Sequence, residues 1–186
     1  TAVNQGTIEA DNAYGMFVGS GSVSSTIIND TTGVIRVTTQ GAGMELGAAS
    51  GSKAINRGTI TVEAPAPDAI NKLKFTHGVL IKDQAEATFT NTGTITATAA
   101  NTSAIEIQTD NKSVKATVNL EGSSAIDGLI KISSMNASNV ATVELNAKGV
   151  TDTFKLKADA NSNVTLNILD GAKVTLEDGQ NLSLIH

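Results

Sequence analysis

Paired carboxylates are the first candidates for chemistry in this 186-residue chain. Hydrolysis of a glycosidic bond requires two carboxyl groups at a defined separation, and Glu45 with Glu106 or Asp68 with Asp83 are candidate pairs. Proteins that act on polysaccharides also tend to present aromatic side chains to the sugar rings. This chain has one Tyr, four Phe and no Trp, so the pairs are weak candidates.

Nucleophilic and metal chemistry have less support still. The two histidines are His77 and His186, and no Gly-x-Ser-x-Gly motif accompanies them, which disfavours a Ser-His-Asp site. Without cysteine there is no thiol nucleophile and no thiolate metal site. We therefore predict no enzymatic activity, no cofactor and no metal site.

The elements that position these side chains belong to a sequence repeat. The motif Asn-x-Gly-Thr-Ile occurs at 4–8, 56–60 and 91–95, and residues 31–35 are a drifted copy. Its glycines are 27, 25 and 35 residues apart, a variable period that a solenoid tolerates by placing insertions in its loops. Stacked coils are then expected to align four polar side chains in a ladder: Asn4, Thr31, Asn56 and Asn91.

Apolar residues alternate strictly after each motif glycine and again in a second motif, which begins 8 to 10 residues later in three repeats and 19 residues later in the repeat that starts at Ile60. The alternating pairs of the first strand are Ile8/Ala10, Ile35/Val37, Ile60/Val62 and Ile95/Ala97, and those of the second are Met16/Val18, Met44/Leu46, Val79/Ile81 and Ile105/Ile107. A period of two indicates strands with one buried face, and the spacing between them is too short for a crossover helix. We predict an all-β fold, a right-handed parallel β-helix of about seven coils.

The chain is predicted to be a single β-helix segment, 1–186, with clear repeats over 1–110 and degenerate coils over 111–186. In the second part the motif fades, but short alternating strands continue at the spacing typical of all-β folds. Asp170-Gly171 and Asp178-Gly179 are turn signals, each of which is also compatible with a hairpin.

Outward positions of the second strand are candidates for partner contact, with cover by the chain's own insertion loop as the alternative. They are Phe17, Glu45, Leu80 and Glu106. The apolar Phe17 and Leu80 occupy positions where solvent is expected, so a loop, ligand or partner is predicted to cover them.

The longest insertion is the other candidate contact. About ten residues of 63–75 must leave the coil, and this segment holds both prolines of the chain. Loops on rigid scaffolds often carry binding residues, so Asp68, Ile70, Leu73 and Phe75 are predicted to contact a partner, with cover of an apolar patch as the alternative.

Composition limits the partner classes. The formal charge is −5 with no cluster of Lys and Arg, which argues against nucleic acid and anionic lipid, since both select basic surfaces. No apolar run reaches the ~20 residues of a membrane helix, so this segment is not expected to insert directly into a membrane.

The two motifs, in a cysteine-free chain rich in Asn, Thr, Ser and Gly, resemble the passenger region of bacterial autotransporters (type V secretion). The resemblance implies that the chain is one segment of a longer passenger, with a secreted or outer-membrane location and a role as an adhesin or in autoaggregation and biofilm formation. Its partners would be cell-surface proteins or glycans of host or bacterium, or other copies of the chain. The alternatives are a carbohydrate-active or tailspike-like β-helix enzyme and a structural spacer.

Overall fold

The computed structural model describes residues 1–47, 50–63, 76–83, 86–134, 136–150, 153–176 and 183–184. The strands in chain order are β1 (Ala2–Asn4), β2 (Thr7–Ala10), β3 (Tyr14–Val18), β4 (Thr26–Asn29), β5 (Val34–Val37), β6 (Gly41–Gly47), β7 (Ser52–Asn56), β8 (Thr59–Val62), β9 (Thr76–Lys82), β10 (Ala87–Asn91), β11 (Thr94–Ala97), β12 (Thr102–Thr109), β13 (Val114–Glu121), β14 (Ala125–Ser134), β15 (Ala141–Lys148), β16 (Thr153–Ala158), β17 (Ser162–Leu169), β18 (Lys173–Leu176) and β19 (Ser183–Leu184). The described residues contain no apolar helix long enough to cross a membrane.

These strands form a parallel β-helix, as the alternation predicts. Face A consists of β1, β4, β7, β10, β13, β15, β17 and β19; face B of β2, β5, β8, β11 and the first half of β14; face C of β3, β6, β9, β12, the second half of β14, β16 and β18. Every pairing among the described strands is parallel. Asp170-Gly171 therefore forms no hairpin. Both residues have positive φ and make the corner between β17 and β18, whereas Asp178-Gly179 lies outside the described residues.

The predicted inward positions form one continuous core. Ile35, Ile60 and Ile95 are register partners on face B and are fully buried, and Met44, Val79 and Ile105 line up in the same way on face C. In the later coils Phe89 and Phe154 fill the interior together with Leu, Ile and Val. Inward-facing side chains of one coil stack on the register partners in the next coil at the strand spacing of ~4.8 Å. Each coil therefore buries the apolar side chains of its neighbour.

A ladder of asparagine amides runs inside the corner between faces A and B. Asn4 donates from Nδ2 to Oδ1 of Asn29, Asn29 donates likewise to Asn56, and Asn56 to Asn91, each at 2.8 Å. Asn91 continues the ladder to Oγ of Ser124 at 2.7 Å. The bonded residues are 25, 27, 35 and 33 positions apart, so the coils differ in length while the corner stays in register.

Thr31 does not belong to this ladder, which corrects the sequence-based prediction. Asn29 takes the second position because the drifted repeat has two additional residues in its turn before Gly33. The motif glycine is required by the close approach of successive turns, since a Cβ at Gly58 would overlap the carbonyl oxygen of Gly33, and one at Gly93 that of Gly58.

Candidate functional site

The predicted outward residues of the second strand form one column on face C. The register pairs Phe17 with Glu45, Glu45 with Leu80, and Leu80 with Glu106, as predicted. Exposure varies along the column: Phe17 is 53% exposed, whereas Glu45, Leu80 and Glu106 retain only 6%, 7% and 4%. Leu80 is thus covered and Phe17 is not. Three of the four side chains thus offer almost no surface for partner contact. The four residues predicted in the insertion, Asp68, Ile70, Leu73 and Phe75, lie outside the described residues.

Glu106 is the centre of a polar cluster built by three consecutive coils. Its Oε1 accepts hydrogen bonds from Nζ of Lys131 at 3.0 Å and from Oγ of Ser133 at 2.8 Å, both on β14. Its Oε2 lies 3.2 Å from Nδ1 of His77 on β9 and accepts a longer bond, 3.4 Å, from Oγ of Ser103 on its own strand. A buried carboxylate requires such partners, and here both oxygens have them.

His77 and Ser103 complete the cluster through a contact of 2.7 Å between Nδ1 and Oγ. Burial lowers the pKa of His77; the nearby Glu106 raises it and Lys131 lowers it, and the net shift is downward. The ring is therefore neutral at pH 7, and the consistent set of donors is Nδ1–H to Ser103 and Ser103 to Glu106.

This arrangement differs from a Ser-His-acid triad, although it contains the three residue types. In a triad the nucleophile and the acid occupy opposite ring nitrogens, so that the acid orients the ring while the other nitrogen accepts the serine proton. Here Ser103 and Glu106 both contact Nδ1, and the Ser103 side chain is almost completely buried. These contacts join three neighbouring strands of face C, and they do not place a ring nitrogen to accept the Ser103 proton while Glu106 orients the opposite nitrogen.

A surface depression of about 220 Å³ opens beside the cluster. It is lined by Asn101, Thr102, Ser103, Glu106, Leu129, Lys131 and Lys157. Lys157 is the register partner of Lys131 on β16 and is exposed, so two ammonium groups from adjacent coils border the depression.

Glu45 lies on the same face but has a different environment. Burial raises the pKa of its carboxyl group, while Tyr14 and Lys82 act in the opposite direction, and its Oε2 has no hydrogen-bond partner among the described residues. Beside it, Tyr14 and Phe17 stack with ring centroids 5.3 Å apart, and both rings are about half exposed. Glu45 therefore adjoins a small aromatic surface that the low aromatic content of the sequence does not suggest.

Asp83 is bound to backbone N–H groups, whereas Asp68, the other member of that candidate pair, lies outside the described residues. Its carboxylate accepts hydrogen bonds from the backbone N–H groups of Asp110, Asn111 and Lys112 at 2.8, 3.0 and 3.2 Å. Burial would raise the pKa of Asp83, but these bonds lower it, and the net shift is downward. The residue fastens the corner after β9 to the corner after β12.

We expect Asp83→Asn to lower the free energy of unfolding at pH 7 by about 1–2 kcal/mol, because charge-assisted bonds to three N–H groups become neutral ones. Since the folded-state pKa is depressed, the contribution of Asp83 is present above the unfolded pKa of about 3.9 and is lost as pH falls through the folded pKa. Urea unfolding between pH 7 and pH 2 should show the difference between wild type and variant shrinking below about pH 4. The matched control is Asp127→Asn on the exposed side of face B; an equal loss there would contradict the assignment.

Residues 1–85 match the family model of the BigA third pectate lyase-like domain. The match spans β1 to β9 and includes the first three Asn positions of the ladder. It is consistent with a passenger-like region and with a surface β-helix protein. In that description, pectate lyase-like refers to the fold. No curated protein and no solved structure matches the chain.

The column on face C continues from residues 1–85 into the later coils, where it includes Glu106, but sequence reasoning missed the neighbours of Glu106. Lys131 and Ser133 could have been found by aligning β14 with β12, since both residues fall at outward positions of the next coil. The position of Ser103 in the cluster could not be predicted from alternation, because the consecutive residues Ala104 and Ile105 are both buried and interrupt it.

Proposed function

We propose that the chain is a stalk segment of a cell-surface adhesin that binds through its outward faces and loops and has no enzymatic activity of its own. The observation that carries this proposal is the parallel β-helix of the described strands, in which each coil packs on the next and the buried asparagine amides bond from coil to coil. The match of residues 1–85 to a BigA domain supports an extracellular or cell-surface location.

The distribution of acidic side chains supports a binding role over a hydrolytic one. Glu45 and Glu106 are both buried, with Leu80 between them in the register, and Asp83 is engaged by backbone N–H groups. Glycoside hydrolysis instead requires two carboxyl groups that both reach the scissile bond.

Contacts in such a stalk are spread along the rod. Outward positions on faces A and B are mostly Thr, Asn, Lys and Glu, which offer hydrogen bonds at the spacing of the coils. Many weak contacts at regular intervals give a strong total attachment when several bind at once. Proteins or glycans of a cell surface, or further copies of the chain, are the partners that this surface suits.

Display on a non-adherent bacterium tests the proposal. We expect cells displaying the chain on an outer-membrane anchor to clump or to attach to other cells, whereas cells displaying the anchor alone do not. Replacing residues 64–74 by a short Gly/Ser turn asks whether the insertion supplies the contact; reduced attachment at equal surface level and unchanged melting temperature supports this. Absence of attachment by the full chain would contradict the proposal, as would release of reducing ends from polysaccharides that Glu106→Gln abolishes.

A further inference from the structure

Two lysines from adjacent coils line the depression beside Glu106. Lys131 donates to Glu106 at 3.0 Å. Lys157 makes no ion pair among the residues that the structure describes, and its side chain lines the same space. An exposed lysine of this kind at a concave surface favours an anionic group of a ligand.

The cluster behind the depression holds its wall in place. Glu106, Ser103 and His77 are all more than nine-tenths buried and are bonded to one another, and Ser133 fixes the second carboxylate oxygen. Lys131 is therefore anchored at its charged end, whereas Lys157 is exposed and can turn toward a ligand. A ligand carboxylate between the two lysines would contact both without displacing Glu106.

The rest of the lining suits a saccharide. Asn101 is exposed at a corner, and its amide can donate to and accept from hydroxyl groups. Leu129 is partly exposed and offers an apolar surface to the face of a sugar ring, while Thr102 lies at the rim. Amide, hydroxyl and apolar groups beside two lysines complement a sugar that carries a carboxylate.

We propose that this depression binds a carboxylate-bearing saccharide, with Lys157 and Lys131 receiving the carboxylate and Asn101 and Leu129 contacting the ring. The inference rests on the proposed function, since it names the ligand class of one site on the stalk. Binding is ionic in part, so it weakens as the salt concentration rises.

Calorimetric titration of the purified chain tests the proposal with a hyaluronan hexasaccharide as the probe. The matched probe is the same saccharide with its carboxylates reduced to alcohols, and a hexapeptide of glutamate represents acidic peptides. We expect Lys157→Gln to weaken binding of the hexasaccharide at least tenfold and Lys157→Glu to abolish it, both without a change in melting temperature. Lys53→Gln, an exposed lysine on face A, is the control and should bind as wild type does.

The inference would be overturned by absence of hexasaccharide binding, by equal binding of the reduced form, or by equal weakening in the Lys157 and Lys53 variants. Tighter binding of the glutamate peptide would also overturn it, in favour of a protein ligand. Cell attachment separates this from the proposed function. If displayed cells attach while the purified chain binds no acidic saccharide, the adhesin proposal stands and the site assignment fails. If the purified chain binds the saccharide but displayed cells do not attach, the site assignment stands and the adhesin proposal fails.

Discussion

Ile60→Asp is expected to abolish cooperative unfolding of the β-helix, whereas Thr61→Asp should leave its stability nearly unchanged. Ile60 is fully buried between Ile35 and Ile95, so the variant would bury a carboxylate without a partner in the middle of an apolar row. Such a substitution costs about 4 kcal/mol or more, a large part of the stability of a domain. Thr61 points to the other side of the same strand and is only partly buried.

Urea unfolding followed by far-UV circular dichroism measures both variants. Wild type and Thr61→Asp should give sigmoidal transitions at similar urea concentrations, and Ile60→Asp should lose the transition or shift it far down. Equal midpoints for the two variants would show that the register of face B is wrong.

Asn56→Ala is expected to have the second largest effect. The Asn56 side chain is fully buried and accepts from Asn29 and donates to Asn91, so its removal deprives both neighbours of a ladder bond. Each buried polar group left without a partner costs about 1–3 kcal/mol, and we expect a total of about 3 kcal/mol.

A second ladder supplies the control. On the outward side of face A, Asn167 donates to Asn146 at 2.7 Å, and Asn146 donates to Asn119 at 3.0 Å, but these side chains are only partly buried. Solvent replaces the bonds lost in Asn146→Ala, which should therefore cost less than about 1 kcal/mol. Equal losses in thermal unfolding for the two variants would contradict the structural role assigned to the inner ladder.

The fold could be predicted because a parallel β-helix is encoded by two short-range signals. Alternation identifies which side chains of each strand face the core, and the recurring motif places the corners. Ile60 illustrates both, since the motif glycine precedes it by two residues and Val62 follows at the same parity. The alternation continues after residue 110, where the motif does not, because the core requires apolar residues in every coil.

The details that could not be predicted depend on register between coils and on departures from alternation. The spacing to Gly33 predicts Thr31 as the equivalent of the motif asparagine, whereas the two extra residues in this turn place Asn29 on the ladder. Glu106 occupies an outward position, which predicts exposure, but Lys131, Ser133 and His77 from neighbouring coils enclose it. One sequence does not reveal such long-range neighbours until the coils are stacked.

The hydrogen bonds between coils run along the axis of the β-helix, and this has a mechanical consequence. A force that pulls along the axis acts directly on these bonds, and a coil whose neighbour on one side has detached is held by the bonds on its other side alone. Coils would therefore detach one after another, each yielding roughly 85–120 Å of extended chain for its 25 to 35 residues. In the stalk role proposed above, lengthening in such steps would limit the tension on a distal contact when a cell is pulled by flow.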